Sequence, residues 1–462
     1  MPLPNGFTDQ LRAQLGADSV FSEPADCLAY GYDNSTLQAL PELVVFPHDH
    51  EQVVAVVRLC HAQHIPLIAR GRGTGTTGAT VPDRGGVVLS TERMSDIIET
   101  NPADRLMVVQ PGVTNQAVQR RAGEHGFFWP PDPSSAAVCT VGGNLAYNSA
   151  GPRAVKYGTP RENVLGLRAV TGTGETIVTG VRTTKGVVGY DLTRLLIGSE
   201  GTLAIVTEAT LKLTPLAQDK RTLRAIYADM GSAAAAVSRI MAQPVVPCAL
   251  EFIDGAAIDM VRHHSDAALP DDAGALLMIE VDGPSAAMDE MVAAVSDAAT
   301  TTGLLSLQAA RSAQEIDALW ATRHALSPAL RNVAPKKINE DVVVPVSQMP
   351  ALITGLEGLA ARHRITIVNF GHAGNGNIHV NLLVDPDDPA QLARAEACLD
   401  QVFTLVLSLG GSLSGEHGIG LVKRDFVGRE IDPVTLALMQ RIKQAFDPAN
   451  ILNPGKGLPA TP

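Results

Sequence analysis

A strand that opens directly onto a glycine-rich loop limits the fold of this chain more than any other feature. Pro66-Leu-Ile-Ala69 reads as a short buried strand, and it runs into Arg70-Gly-Arg-Gly-Thr-Gly-Thr-Thr-Gly78. The stretch Gly73-Thr-Gly75-Thr-Thr-Gly78 fits the G-x-G-x-x-G spacing of a dinucleotide fingerprint, but that fingerprint requires its glycines to open a helix. Pro82, Gly85 and Gly86 follow too soon for one to form. The loop therefore argues against a doubly wound nucleotide fold. It suits a non-helical nest, in which successive backbone N–H groups enclose a pyrophosphate. Taken alone, an ordinary glycine-rich turn is the alternative.

The surroundings of the loop alternate between helix and strand. Asp49 with Gln52 forms a capping pair, and Val53, Val54, Val56, Val57 and Cys60 mark the buried face of the helix that follows. Short strands are expected at 86–90 and 106–110, a helix at 114–125, and a hairpin of 165–171 with 176–179 around Gly172-Thr-Gly174. Residues 127–160 read as loop, and a loop of that length inside a domain is usually functional. Gly198-Ser-Glu-Gly201 precedes a strand at 203–213. Pro215–Lys220 reads as a domain boundary. Beyond it a β-α-β-β-α-β series appears twice, implying two successive ferredoxin-like units. A last helix, Pro433–Phe446, leads into a polar turn, Asp447–Lys456, able to fold back onto a ligand.

Two segments near the C-terminus concentrate titratable groups among glycines. One is Gly371-His372-Ala-Gly-Asn375-Gly-Asn-Ile-His379, the other Ser414-Gly-Glu416-His417-Gly-Ile-Gly420. A tight strand connection can bring His372 and His379 to one point, and Glu416 would complete a His₂Glu set with an open position for substrate. His417 beside it is a candidate general base, because imidazole titrates near neutral pH. The plainer reading is a histidine that merely holds Glu416.

Composition removes several classes of function. A formal net charge of −12 over 462 residues argues against a nucleic-acid partner. The five cysteines are scattered and never form C-x-x-C, which fits a reducing compartment and no thiolate metal site. The N-terminus lacks the pattern of a signal peptide, and no run of about 18 apolar residues occurs. A cytoplasmic location is the expectation, with peripheral contact at the inner membrane face left open.

The glycine loop together with Pro131-Asp132-Pro-Ser134-Ser, Val141-Gly-Gly143-Asn144, Gly198-Ser-Glu200-Gly201-Thr and Asn453-Pro-Gly-Lys456 closely resembles the FAD-binding domain of the vanillyl-alcohol oxidase family, the p-cresol methylhydroxylase (PCMH) type. The similarity is strongest to its D-lactate dehydrogenase, glycolate oxidase flavoprotein and D-2-hydroxyglutarate dehydrogenase branch, and it runs from about Pro41 to Pro459. It implies an α+β fold. A PCMH-type FAD domain of two α+β subdomains would span 1–217, a ferredoxin-like substrate cap 218–430, and a segment returning to the FAD domain 431–462.

The resemblance also implies roles. Arg70, Gly71, Arg72, Gly73, Thr74, Gly75 and Gly78 would meet the FAD pyrophosphate. Pro131, Asp132, Ser134, Gly143, Asn144 and Ser149 would line the middle of the cofactor. Glu200, Gly201, Ile205 and Val206 would lie at the adenine end, and Asn453 would join them from the C-terminal turn. The loop has no His for covalent attachment, so non-covalent FAD is expected. The family carries G-H-x-G-D-G-N-x-H and G-E-H-G, which makes His372, His379 and Glu416 ligands of a divalent metal, zinc or manganese. Asn375 departs from the usual Asp, which would remove a charge near the site. Trp320-Ala-Thr-Arg323 matches a W-x-x-R stretch that binds substrate carboxylate, and Lys337 is a second candidate for that role.

The implied activity is oxidation of a D-2-hydroxy acid, D-lactate or glycolate, to the 2-oxo acid. His417 would take the hydroxyl proton as hydride leaves for the flavin, and electrons would pass on to a quinone, cytochrome or electron-transfer flavoprotein. Alternatives are a D-2-hydroxyglutarate dehydrogenase, an oxidase using oxygen directly, and a flavin subunit of a larger glycolate-oxidising complex, inactive alone. A non-flavin metallohydrolase built on the His/Glu set is the competitor from another class. A homodimer is left open.

Overall fold

In the computed structural model, which describes residues 3–262, 269–310, 312, 314–317, 319–320, 330 and 336–459, the Asp49 cap forms as its sequence implies. The Asp49 carboxylate accepts from the Gln52 N–H at 2.9 Å, and the Gln52 side chain accepts in turn from His48 N–H. The helix His50–Ala62 follows, with its valines buried. The chain divides into two units. The first takes Met1–Gly151, Gly158–Leu216 and Glu416–Pro462, the second Pro152–Tyr157 and Ala217–Gly415.

Two sheets organise the first unit. Strands Val20–Phe21 (β1), Leu43–Val45 (β2), Leu67–Arg70 (β3) and Val87–Ser90 (β4) form one, in the order β1-β2-β4-β3. β3 and β4 run parallel, joined by residues 71–86 without a helix. Gly86, at φ +90°, closes that connection where a Cβ would lie 2.2 Å from the Pro66 carbonyl oxygen, so only glycine fits. Strands Ile97–Asn101 (β5), Leu106–Val109 (β6), Val164–Thr171 (β8), Thr176–Gly180 (β9) and Ala204–Lys212 (β10) make an antiparallel sheet in the order β5-β6-β10-β8-β9, beside the short pair Phe127–Phe128 (β7) and Thr214–Pro215 (β11). Each sheet carries its own core, one around Phe7, Leu11, Val53, Leu67 and Leu89, the other around Trp129, Leu145, Leu167 and Leu211. The C-terminal turn does fold back. Leu67 N–H donates to the Ile451 carbonyl at 2.8 Å and Asn453 N–H to the Leu67 carbonyl at 2.9 Å, which seats Ile451 and Leu452 in the first core.

The expectation that 127–160 is almost all loop is corrected at Val141–Tyr147 and Ala154–Tyr157, which are helical. The Thr140 hydroxyl caps the first by accepting from the Gly143 N–H, and Val141 and Leu145 bury into the second core. Cap and burial together outweigh the roughly 1 kcal/mol that each interior glycine costs a helix.

The two β-α-β-β-α-β series of the second unit share one sheet. Strands Asp219–Tyr227 (β12), Ala249–Asp254 (β13), Ala275–Gly283 (β14), Leu304–Ala309 (β15), Lys336–Val343 (β16), Thr366–His372 (β17) and Asn377–Val384 (β18) run in the order β15-β12-β14-β13-β17-β18-β16. Each half keeps ferredoxin-like order. The seam is the antiparallel pairing of β13 with β17, which sets Glu251 opposite His372 and Phe252 opposite Gly371. The last strand of the second series reduces to a single bridge between Ser412 and Val343.

The units depart from the expected 1–217, 218–430 and 431–462 in two places. Glu416–Glu430 groups with the first unit, and Pro152–Tyr157 with the second. The Lys156 ammonium and the Tyr157 hydroxyl both bond Asp282, which accounts for the latter. Phe252, wholly buried at the seam, tests the shared sheet. Phe252→Ala should cost about 3–5 kcal/mol in urea unfolding, and a loss below about 1 kcal/mol would contradict a packed seam.

Candidate active site

In the first unit, the loop after β3 presents a row of unused donors. Among the described residues, none of the backbone N–H groups from Gly71 to Thr76 donates to a protein acceptor. The carbonyls of Thr74 and Gly75 are instead turned onto Asn34. A run of orphaned N–H groups is costly unless water or an anion meets them, and it is the chemistry of a phosphate nest. They border a cavity of about 260 Å³ that Ser134, Gly143, Asn144, Ser149, Glu416 and His417 also line. A Cβ on Gly75 would lie 2.5 Å from the Tyr147 hydroxyl oxygen, so the loop passes too close to that ring for any side chain. Burial pushes the Tyr147 phenol well above its ordinary pKa, keeping it neutral. A smaller cavity is lined by Gly201, Ile205 and Val206 and shares Gly71, Thr80, Gly143 and Tyr147 with the first.

Glu200 fastens the segment that carries His417. Its carboxylate accepts from the Ile419 N–H at 2.5 Å and the Gly420 N–H at 2.8 Å, and its carbonyl accepts from the Asn453 side chain at 2.6 Å. Burial raises the Glu200 pKa, and the two N–H donors work against that rise. The His417 carbonyl accepts from the Thr77 hydroxyl, and the Glu416 carboxylate accepts from the Gly151 N–H at 2.8 Å.

In the second unit the Gly371–His379 turn closes as its glycines imply. Gly376, at φ +68°, would set a Cβ 1.9 Å from the Val344 carbonyl oxygen. The His372 and His379 rings meet edge to face with centroids 5.3 Å apart. Both are buried. His372 Nδ1 lies 2.5 Å from Glu251 Oε1, and His379 Nδ1 lies 4.0 Å from Asp341 Oδ1. The Glu251 carboxylate on His372 Nδ1 turns the other ring nitrogen outward, the usual support for a metal-bound imidazole, whereas Asp341 stands beyond hydrogen-bond reach of His379 Nδ1. Asp341 accepts from the Asn377 side chain, from the Ser414 hydroxyl at 3.0 Å and from the Gly415 N–H at 2.8 Å. The residue after Gly415 is Glu416.

Residues 41–180 match the FAD binding domain family, and residues 216–457 match the C-terminal domain of FAD linked oxidases. The chain is 37% identical to the glycolate oxidase subunit GlcD of Bacillus subtilis, over 97% of this chain and 96% of that protein. The chain belongs to the FAD-linked oxidases. It is also 34% identical to GlcD of Escherichia coli K12, over 97% of this chain and 90% of that one. With a D-lactate dehydrogenase of Archaeoglobus fulgidus it shares 35% identity, over 94% of this chain and 96% of that one. A p-cresol methylhydroxylase solved with substrate bound superposes with a TM-score of 0.80 at 19% identity, covering 98% of this chain and 97% of that one. At that identity the match shows the PCMH-type fold alone.

Not every expected cofactor residue of this FAD-linked oxidase faces the cavities. Gly78 is corrected. Its N–H donates to Asp33 at 3.0 Å, which withdraws it from a pyrophosphate. Arg70 is a 7% exposed residue bordering the smaller cavity, and its guanidinium bonds the Tyr32 and Ala29 carbonyls and the Thr80 hydroxyl. Glu200 lines the smaller cavity and also bonds the 416–420 loop, while Asn453 lines neither of the two and donates to the Glu200 carbonyl. Pro131 and Asp132 are not among the lining residues, whereas Pro133–Ser135 are. Asn375, the departure from the family motif, is exposed at the tip of its turn, and the buried charges beside the imidazoles are those of Glu251 and Asp341. Arg323 lies outside the described residues. Lys337 is exposed on β16, on the sheet face of Asp341 but four residues along, about 13 Å at the usual strand rise.

Glu251, Asp341, Tyr147 and Asn34 were not anticipated. The first two are acids on buried strand positions, which the sequence did not mark as functional. Glu200→Gln keeps the volume of the side chain but sets an amide N–H₂ against one backbone donor. It should cost about 1–3 kcal/mol in denaturant unfolding and lower the flavin retained on purification. Unchanged stability and flavin content would remove Glu200 as the anchor of the loop.

Proposed function

We propose that this FAD-linked oxidase oxidises a small D-2-hydroxy acid, D-lactate or glycolate, to its 2-oxo acid with the help of a divalent metal. The observation that carries the reading is the cavity holding both the orphaned N–H row of residues 71–76 and His417, a nest for pyrophosphate with an imidazole beside it. The relatives named as glycolate oxidase subunit and D-lactate dehydrogenase support the substrate class.

The donor set suits both groups. FAD, when bound, supplies the two-electron acceptor, held non-covalently by Gly71–Thr76 at its pyrophosphate and by Gly143, Asn144, Ser149, Ile205 and Val206 along its length. A divalent ion, zinc or manganese, supplies Lewis acidity, held by His372, His379 and Glu416. Glu251 sets the His372 imidazole, and Asp341 lies beside that of His379. Chain continuity favours Glu416 as third ligand, because Gly415 before it is tied to the carboxylate nearest His379. A ring nitrogen of His417 takes the hydroxyl proton as the α-hydrogen leaves with its electron pair. Arg323 anchors the substrate carboxylate, and the place of Lys337 down the strand makes it the weaker candidate.

A second reading has its own support. Val187, Val188 and Tyr190 are 96%, 100% and 96% exposed on one loop of the first unit. Three apolar side chains in water favour a protein partner, and two relatives carry the word subunit in their names. On this reading the chain is the flavin subunit of a larger assembly and passes its electrons to a partner docked there, upstream of a quinone, cytochrome or electron-transfer flavoprotein. Among the described residues no helix is long and apolar enough to cross a membrane.

Anaerobic flavin bleaching with a panel of D- and L-2-hydroxy acids, D-2-hydroxyglutarate included, tests the proposal. D-lactate or glycolate should reduce the flavin, and a chelator should slow reduction at least tenfold. His417→Ala should keep its FAD and lose about 10²–10⁴-fold in rate. Bleaching by L-isomers only, or full speed in His417→Ala, would refute it. Bleaching with no turnover by the purified chain would favour the subunit reading.

A further inference from the structure

A second cavity of about 550 Å³ opens in the first unit, between the helix Pro433–Phe446 and the C-terminal turn. It shares no lining residue with the two cavities assigned to the flavin. Among the described residues five cations border it, Arg84, Arg424, Arg441, Lys443 and Lys456, and the one carboxylate in its wall is Asp447. Asp447 is already engaged by the Lys443 ammonium and by the N–H groups of Ile451 and Leu452. Lys456 bonds the Asn453 side chain and Asp83, and Arg424 pairs with Asp425, itself 79% exposed. Arg84 and Arg441 have no hydrogen-bond or acidic partner among the described residues. In a chain of net charge −12 this concentration of positive charge is local.

We infer that this cavity is a binding site for a multiply charged phosphate compound, distinct from the flavin site. Like charges that converge on a concave surface repel unless an anion joins them, and they focus the field that attracts one. A guanidinium offers a planar pair of donors matched to phosphate oxygens. The volume lies within the range of small-ligand sites. Gln440, Gln444 and Asn450 add neutral donors to the wall. A polyphosphate in solution and the headgroup of an anionic lipid present the same chemistry to these side chains.

Calorimetric titration of the flavin-loaded protein at low ionic strength, with inorganic pyrophosphate and with ATP, tests the site. Sedimentation with phosphatidylglycerol vesicles against phosphatidylcholine vesicles separates the two sources. Binding of the soluble anions, of the anionic vesicles, or of both is expected, weakened at least tenfold in Arg441→Ala and in Arg84→Ala. Both variants should keep their flavin content and melting temperature, since neither side chain bonds another residue. No binding of any probe, binding that both variants retain in full, or flavin release by pyrophosphate would overturn the inference.

Discussion

The Asp341 carboxylate is the constraint on which the second unit's chemistry turns. It is wholly inaccessible to solvent. A buried carboxylate costs several kcal/mol unless its oxygens are met by donors, and here the Asn377 side chain, the Ser414 hydroxyl and the Gly415 N–H meet it. Those bonds tie the end of the histidine turn to the segment that ends at Gly415. The same carboxylate lies 4.0 Å from His379 Nδ1. Glu251, across the β13–β17 seam, bonds His372 directly. Each imidazole therefore has a buried acid behind it, and both acids are placed by strand register, on rigid elements.

Glu200 has the matching role in the first unit. It lies just ahead of the strand Ala204–Lys212 and reaches two N–H groups of the loop that carries His417. Through Asn453 and Lys456 the same residue is linked to the C-terminal turn, so the returning segment is part of the site and not a tail. The orphaned donors of 71–76 then have a fixed neighbour. Their loop cannot drift, because Asp33 holds Gly78, Asn34 holds the carbonyls of 74 and 75, and the Arg70 guanidinium is locked beneath.

Most of the elements were legible as periodicity and punctuation, and the histidine turn was legible because its glycines leave few other conformations. Aim and partnership were not. An N–H at Gly78 reads like one at Gly73 until Asp33, far away in the chain, claims it. Thr140 is an evident helix cap, but Gly142-Gly143 made the segment look like loop, and only burial of Val141 and Leu145 decides for helix. Two ferredoxin-like units could be read from strand order, whereas their fusion depends on which bare edges pair, and edges carry little pattern. Glu251 and Asp341 followed the same logic. An acid on a strand does not say which buried partner it will meet. The FAD-linked oxidase family was recognisable because its loops occur in a fixed order, each weak alone.

Metal analysis by mass spectrometry on flavin-loaded protein tests the paired, carboxylate-backed imidazoles most directly. Wild-type protein should carry close to one divalent ion per chain, and His372→Ala and His379→Ala should each lose it while keeping FAD. Metal-free wild type that still oxidises substrate at full rate, or variants that hold a full complement of the ion, would contradict the account.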